Sequence, residues 1–442
     1  MAREVNRLLG LVFAERSKTG QTDLEAVEMA LRSALHQAGA AALSQLLRFA
    51  APAADQREIP CGCGQKARYL ELRTRPVLTA LGKVELRRPY YLCPHCHHGQ
   101  FPVDTELNVE NTELSPGVRR MLALVGAAAP FDHGRQQMKQ LADLEVTTKA
   151  VERTAEALGA DLAQREQEEI QRAMQLDLPL VVGESIPILY VQMDATGIPV
   201  VKAETEGRQG QEEGEPPHTR QAKVGCVFTQ THWDAEGYPV RDPDSTTYVA
   251  AIETAEEFGK RLYLEAWKRG WSCALKTVFM GDGAECTWRI AQQHFPGATQ
   301  IVDLYHAREH LWGLVRKLHP NDPALQNRWI LIHRHKLDEG LIEDLVQSLR
   351  SIHSPHAGLA EDLRIESNYF EKNAERMRYP KFRRQHLFVG TGVIEAGCKT
   401  LIGSRCKQSG MFWTLRGANS ILALRCCILN GRFEDYCEAR TA

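Results

Sequence analysis

Three acidic residues, each close to a glycine, occupy positions where a metal-dependent phosphoryl-transfer site could form. Asp194 follows the predicted strand 186–193, Asp282 follows the predicted strand 277–280, and Glu395 lies in a predicted helix that begins near Gly392. Adjacent strands that end at the same edge of a sheet place two aspartates close together, and a helix packed on that sheet can add a third acid. Clustered carboxylates ionise together only beside cations, so the pattern predicts a site for Mg²⁺ or Mn²⁺.

Other acids compete with this trio. A single acid at a strand end more often caps a helix or pairs with a cation than binds a metal ion. Three further acids are possible substitutes: Glu253, Glu285 and Glu366. Glu395 is favoured because it is the only acid in residues 376–425, a segment with ten lysines and arginines.

Two tight cysteine pairs flank a predicted hairpin with strands at 69–74 and 84–91. A hairpin can bring two such pairs together around one tetrahedral zinc ion, and four protein ligands make such a site structural. Because the first pair has one intervening residue instead of two, His95, His97 or His98 could replace a cysteine. Unmetallated thiols or a disulfide are the alternatives, although a reducing compartment disfavours the disulfide. The sequence predicts structural Zn²⁺ bound by Cys61, Cys63, Cys93 and Cys96.

Charge is segregated along the chain although the formal net charge is only −2. Residues 61–90 carry seven basic and two acidic side chains, whereas residues 204–215 carry five glutamates and one arginine. Such segregation suits a protein that holds a polyanion, although charge runs are often only solvated surface. Trp413 could stack on an extruded base or, equally, pack in a core. Phosphate contacts are predicted from the basic segment, at Lys399, Arg405, Lys407 and Arg416.

The segments before the first acid are mainly helical. Apolar residues recur at helical spacing from Leu24, and Ser115-Pro116 begins a further helix. Two short helices separated by a break at 143–145 indicate a helix-turn-helix, which reads a DNA major groove or serves as a plain packing unit. The longest run without polar residues, 121–131, is shorter than the roughly 20 residues of a membrane span. No signal-peptide cleavage site follows the first 17 residues, so a cytoplasmic, nucleoid-associated protein is expected.

The order of these motifs resembles the transposases of bacterial insertion sequences of the ISKra group, which are related to Mutator-like DDE transposases. The resemblance covers most of the chain from about residue 55. It rests on residues 191–197 around Asp194, residues 281–284 around Asp282, the Asp303-x-x-His306 motif, and residues 392–413 around Glu395.

The resemblance implies an α+β multidomain protein with an RNase H-like catalytic core interrupted by a helical insertion. It implies catalytic, ion-binding roles for Asp194, Asp282 and Glu395, two divalent ions per active site, and an accessory role for Asp303 and His306. The expected segments are a helical region at 1–54, a zinc-ribbon-like domain at 55–110, a helical, candidate helix-turn-helix domain at 111–175, a catalytic domain at 176–305 and 381–442, and a helical insertion at 306–380.

The expected function is DNA transposition. The enzyme would cleave the ends of an insertion element and join the exposed 3′-hydroxyl to target DNA. Its expected partners are terminal inverted repeats, target DNA and further copies of the chain in a homo-oligomer. Two alternatives stay open: a DNA-binding regulator that has lost catalysis, and an RNase H-like nuclease acting on RNA or RNA–DNA hybrids.

Overall fold

The computed structural model describes residues 24–181, 183–208, 218–354 and 356–439. Contacts within the chain divide it into two compact units, residues 1–157 with 434–442, and residues 158–433. Two sequence predictions fall partly outside the described residues: most of the acidic stretch 204–215, and the first half of the helical region 1–54. The segment boundaries predicted from the sequence are finer than these two units and stay predictions.

The first unit contains a four-stranded antiparallel sheet in the order β1-β2-β3-β4. Its strands are β1 Glu58–Pro60, β2 Lys66–Thr79, β3 Gly82–Leu92 and β4 Gly99–Gln100. The predicted hairpin is confirmed, because β2 and β3 pair from Thr79 with Gly82 back to Arg68 with Leu92. Helix α1, Leu24–Leu46, packs against β3, and the short helix α2 is Pro102–Glu106.

Three helices follow the sheet: α3 Pro116–Ala128, α4 Phe131–Ala142 and α5 Thr148–Met174. The Ser115 side chain accepts a hydrogen bond from the Val118 backbone N–H, so the predicted helix start is confirmed. Asp143 adopts a left-handed backbone (φ 54°) and ends α4, which produces the predicted break. The helices share a buried cluster that includes Leu122, Met138 and Val151. Two helices about a short turn are therefore present, and their assignment as a DNA-binding helix-turn-helix stays a prediction.

The second unit is built on a mixed five-stranded sheet in the order β11-β10-β5-β6-β9. Strands β11, β10 and β5 run parallel, while β6 and β9 pair antiparallel with their neighbours. The central strand β5 is buried from Leu189 to Met193, and its side chains there are apolar except for Gln192 and the Tyr190 hydroxyl. The strands are β5 Ile186–Pro199, β6 Thr219–Gln230, β9 Thr247–Ala251, β10 Ala274–Gly281 and β11 Thr299–Val302, and a separate ribbon pairs β7 His232–Trp233 with β8 Pro239–Val240.

Helices connect and extend this sheet. Two of them lie between sheet strands in the sequence, α6 Ala255–Lys268 and α7 Glu285–His294. Four more span most of the predicted insertion: α8 Leu304–Leu318, α9 Pro323–Asp338, α10 Ile342–Arg350 and α11 Ala357–Lys372. The last part of the chain contains α12 Tyr379–Arg383, α13 Gly392–Cys398, a π-helical turn Lys399–Gly403, α14 Ser404–Cys406, α15 Leu415–Leu429 and α16 Phe433–Ala439. Within the described residues, no helix combines the length and apolar composition that crossing a membrane requires.

Candidate functional site

Two parallel neighbouring strands carry the first two predicted acids. Strands β5 and β10 are in register up to the pair Gln192 and Met280, so two residues further on Asp194 lies beside Asp282. The sequence prediction that Asp194 ends its strand is wrong. Strand β5 continues to Pro199 because its residues after Asp194 keep pairing with β6. Asp282 does follow the end of β10, as predicted. Extending the register of β5 and β10 by two residues thus sets sequence position 194 opposite position 282, at the edge of the sheet where β10 ends.

Helix α13 is fixed against the first acid. The Gln192 side-chain oxygen accepts a hydrogen bond from the Ile394 backbone N–H at 3.2 Å, and the Cys398 thiol donates to Asp194 Oδ2 at 3.4 Å. Burial and the Asp194 carboxylate both raise the pKa of Cys398, which keeps this thiol protonated and able to donate. Glu395 lies between these two contacts, one residue after the buried Ile394, and is exposed to solvent. The helix therefore carries the third predicted acid to the sheet position of Asp194.

The three acids do not form a compact group of metal ligands. Among the described residues, the four cysteines alone form a group of at least three potential metal ligands whose donor atoms all lie within 4.8 Å. The Asp282 carboxylate accepts hydrogen bonds from the Ala284 backbone N–H at 3.0 Å and from the Thr287 hydroxyl at 3.3 Å. The donor set, all carboxylate oxygens, is the type that Mg²⁺ and Mn²⁺ prefer.

The buried Asp303 carboxylate bonds to the segments that precede α13 and begin α8. Its side chain is 1% exposed and caps α8 by accepting the His306 backbone N–H at 2.6 Å. Its second oxygen accepts from the Thr391 hydroxyl at 2.6 Å and from the Thr391 backbone N–H. Thr391 directly precedes α13, so this one carboxylate joins the start of α8 to the start of the helix that carries Glu395. These bonds assign Asp303 a positioning role.

One helix of the insertion also reaches the second acid. The Tyr369 hydroxyl, on α11, donates a hydrogen bond to the Asp282 backbone carbonyl at 3.0 Å. The adjacent Gly283 has a left-handed backbone (φ 97°), and a Cβ atom added there would lie 2.6 Å from the Tyr369 ring. Burial raises the pKa of Tyr369, and the charges of Asp282, Glu366 and Asp303 add to this effect, so its hydroxyl remains a donor. The sequence offered no signal for Tyr369, because its partner Asp282 lies 87 residues away in the chain.

Three of the predicted basic contacts are exposed. Lys399 directly follows α13, Lys407 directly follows α14, and Arg416 lies in the first turn of α15. The Lys407 ammonium donates a hydrogen bond to the Thr196 hydroxyl, two residues after Asp194. The positive charge of Lys407 also lowers the pKa of Cys398 against the raising effect of burial, which confirms its closeness to the first acid. Lys407 is therefore the cation best placed beside the acids.

The predictions for Arg405 and Trp413 as DNA contacts are wrong, because both side chains are buried. Arg405 is fully buried with its guanidinium 4.9 Å from the Trp413 ring centre, and Trp413 is 6% exposed. The indole N–H donates to the Cys406 backbone carbonyl at 3.1 Å, and the Trp413 backbone bonds to Pro199 and Val201. The pair packs in the core beneath the site, so the core alternative holds for Trp413.

Two of the three substitute acids are bonded to other side chains. Glu253 forms a two-point ion pair with Arg261, at 2.7 and 2.9 Å. Glu285 is exposed in the first turn of α7. Glu366 accepts a hydrogen bond from His310 at 2.8 Å. Glu285 is three residues after Asp282 in the chain, and Glu366 is on the helix whose Tyr369 contacts Asp282. Compared with these acids, only Glu395 lies on a helix that contacts the Asp194 side chain directly.

The four cysteines form a separate, more compact site in the first unit. All four sulfurs lie within 4.8 Å of one another, with Cys61 to Cys96 at 3.5 Å and Cys63 to Cys93 at 3.7 Å. Four sulfurs around a tetrahedral zinc ion, each about 2.3 Å from it, are separated by about 3.8 Å. The sulfur set thus fits zinc. None of the neighbouring histidines belongs to this group, so the idea that one replaces a cysteine is wrong.

Hydrogen bonds from backbone amides stabilise the thiolate form of two of these cysteines, Cys93 and Cys96. The backbone N–H groups of Cys96 and then His95 lower the pKa of Cys93 to about 6. The His98 backbone N–H lowers the pKa of Cys96, but hydrogen bonding with the thiols of Cys61 and Cys63 outweighs it and raises that pKa to about 12. These opposite shifts favour a thiolate at Cys93 beside a protonated thiol at Cys96. A divalent cation bound by the sulfurs would stabilise the negative charge of all four thiolates.

Comparisons with known proteins add little to these observations. No protein-family model matches the chain, and no curated protein is detectably similar to it in sequence. One solved structure that resembles it is a Drosophila P element transposase strand transfer complex, with 7% sequence identity, a TM-score of 0.25, and coverage of 77% of this chain and 84% of that one. A similarity of this size does not establish a shared fold.

Proposed function

We propose that the protein is a DNA transposase whose phosphoryl-transfer site contains Asp194, Asp282 and Glu395, within an RNase H-like domain interrupted by the helices α8 to α11. One observation carries this proposal: Asp194 and Asp282 lie on neighbouring parallel strands, and the helix that bears Glu395 donates a hydrogen bond to Asp194. The resemblance of the sequence to ISKra-group and Mutator-like transposases supports the same assignment.

Three roles are proposed for the residues of this site: ion binding, positioning of the acids, and contact with DNA phosphates. Asp194, Asp282 and Glu395 would hold Mg²⁺ or Mn²⁺, which when bound supplies Lewis-acid stabilisation of the reacting phosphate. Asp303 and Tyr369 position the acids by fixing the start of α13 and the carbonyl of Asp282. Lys407, exposed beside Asp194, contacts a DNA phosphate, and Lys399 and Arg416 extend this basic surface. Arg405 and Trp413 support that surface from the core.

The first unit contributes DNA recognition and structure. The Cys61, Cys63, Cys93 and Cys96 sulfurs hold structural Zn²⁺, which ties the two ends of the β2–β3 hairpin together. The helices α4 and α5 form the candidate helix-turn-helix that contacts the terminal inverted repeats. Joining two element ends requires two active sites, so the working enzyme is a homo-oligomer on DNA.

A transposition assay tests this function. A selectable marker is placed between the DNA segments that flank the gene and is supplied with the protein in cells. Wild type should move the marker, whereas Asp194→Asn, Asp282→Asn and Glu395→Gln should each abolish movement and keep binding to the flanking DNA. These changes keep side-chain volume and remove the charge that holds the ions.

Matched glutamate variants identify the third acid. Glu285→Gln and Glu366→Gln should keep activity if Glu395 is the third ligand. Loss of activity in either one, with activity retained in Glu395→Gln, would reassign the role. Binding of flanking DNA without any metal-dependent cleavage would favour a regulator, and cleavage of RNA–DNA hybrids alone would favour a nuclease.

A further inference from the structure

Two histidines on the first insertion helix face each other outside the carboxylate site. His306 and His310 are four residues apart on α8, so their side chains lie on the same face of the helix. Their rings are nearly perpendicular, at 82°, and the two Nε2 atoms are 3.3 Å apart. Two nitrogen ligands at about 2.0–2.1 Å from one tetrahedral metal ion are separated by about 3.3–3.4 Å. The pair therefore has the spacing of two ligands that share a metal ion.

Neighbouring side chains hold His310 in the orientation that ligation requires. Its Nδ1 lies 2.8 Å from the Glu366 carboxylate, and its ring stacks on Tyr369 with centres 4.0 Å apart. A carboxylate accepts Nδ1–H, which leaves the lone pair of the neutral ring on Nε2, the atom that faces His306. Metal-binding histidines commonly donate their other N–H to a carboxylate in this way.

The surroundings provide room and oxygen ligands. A cavity of about 280 Å³ is lined by both histidines together with Glu309, Lys317, Asp362 and Glu366. Lys317 pairs with Asp362 at 2.8 Å, so its positive charge is partly offset. The Glu309 carboxylate is 3.7 Å from His306 Nδ1 and its side chain is 78% exposed, so it can rotate toward the pair. The site supplies two nitrogen ligands and leaves other positions to Glu309 or water.

We propose that His306 and His310 bind a divalent transition-metal ion of the zinc class, such as Zn²⁺, Co²⁺ or Ni²⁺. Imidazole ligands select these ions over Mg²⁺, so the site differs in chemistry from the carboxylate site. It also differs from the four cysteines, because open coordination positions make it a weaker and exchangeable site. Glu366 is a positioning residue for His310. The hydrogen bond from His310 to Glu366 connects this site to α11, the helix whose Tyr369 contacts Asp282.

Metal stoichiometry in the full-length protein tests this inference independently of transposition. The protein is loaded with one Zn²⁺ at the cysteines, and further Zn²⁺ or Ni²⁺ is titrated by calorimetry in excess Mg²⁺, which occupies the proposed carboxylate site. Wild type should bind one additional ion per chain. His310→Ala and His306→Gln should each lose that ion, and Glu366→Gln should weaken binding about 10- to 100-fold through loss of the orienting hydrogen bond. His335→Ala, which removes an exposed histidine of α9, should bind as wild type does.

The outcomes separate cleanly. Binding of no ion beyond the one held by the cysteines, or a second ion that persists in His306→Gln, would overturn the proposal and leave the histidines as a hydrogen-bonded pair. His306 has a side chain 41% exposed, so His306→Gln is decisive even if His310→Ala fails to fold. A protein inactive in transposition that still binds the second ion would refute the proposed function and leave this site intact.

Discussion

The cysteine site and the carboxylate site differ in how closely their ligands approach one another. The four sulfurs already lie at distances that suit a bound ion, whereas the three acids do not form a group within 4.8 Å. Thiols are neutral when protonated, so cysteines can gather before a metal ion arrives, but carboxylates stay charged at neutral pH and repel. The cysteines are also held by one short hairpin, while the acids come from two strands and a helix separated by 88 and 113 residues. The first site is assembled by local structure and the second by the tertiary fold.

Removing one sulfur should have the largest effect. In Cys93→Ser we expect loss of stoichiometric zinc and unfolding of residues 58–100, because metal-binding free energy in such small domains is largely folding free energy. Elemental analysis and hydrogen exchange across the hairpin measure this. Cys273→Ser, outside the cluster, is the matched control and should keep one zinc per chain. A fully folded, metal-free wild type would contradict the zinc assignment.

Acidification should release zinc from the cysteines. The pKa of Cys93 is lowered to about 6, so its thiolate persists at neutral pH and is protonated as the pH falls below that value. Protons and the metal ion compete for the same sulfur, and bound zinc keeps the sulfur deprotonated to a lower pH than the free thiol would allow, so zinc is retained at pH 7 and released as the pH falls well below the free-thiol pKa of about 6. Release is followed with a chromogenic zinc indicator at stepped pH. Zinc release that does not increase on acidification would be inconsistent with thiolate ligation.

Crowding the second acid should disturb the carboxylate site. In Gly283→Ala the new Cβ atom must displace Tyr369, and the left-handed backbone at this position is strained for any side chain. Gly297→Ala shares the left-handed backbone (φ 80°) but has open space, so it isolates the cost of the clash. Gly283→Ala should be less stable than Gly297→Ala by about 1–3 kcal/mol, the usual cost of overpacking. Urea unfolding compares the two, and equal stabilities would show that Tyr369 does not press on this loop.

A smaller effect is expected from changing Asp303, the buried carboxylate that holds the start of α13 through Thr391. In Asp303→Asn one acceptor oxygen becomes an amide, which cannot accept the two hydrogen bonds from Thr391, so about 1–2 kcal/mol of stability should be lost. Asp322→Asn is the matched control, because Asp322 also caps a helix, accepting from Leu325 at 2.9 Å, and asparagine caps nearly as well as aspartate. The control should stay within experimental error of wild type. A similar loss in both would mean that helix capping, and not the contact to α13, accounts for the effect.

Much of this protein follows from its sequence because local patterns determine local structure. Alternating apolar residues and the turn predicted at 80–83 predict the β2–β3 hairpin, and the paired cysteines around it predict the cluster of sulfurs. Ser115 before proline predicts the start of α3. In the sheet, a buried strand ending before Asp282 predicts that an acid stands at its edge. Each inference uses residues separated by only a few positions, where backbone geometry alone limits the outcome.

The tertiary structure decided which side chains face solvent and which distant residues meet. Arg405 belongs to a basic segment in the sequence, yet it is buried over Trp413 because α14 folds under the site, and no pattern of neighbouring residues reveals that burial. Asp194 stands inside a strand because β6, not the local sequence, keeps β5 extended. Tyr369 meets Asp282, and Glu366 meets His310, only because the insertion helices return to the sheet. Such contacts depend on the packing of whole elements, so only the three-dimensional structure can place them.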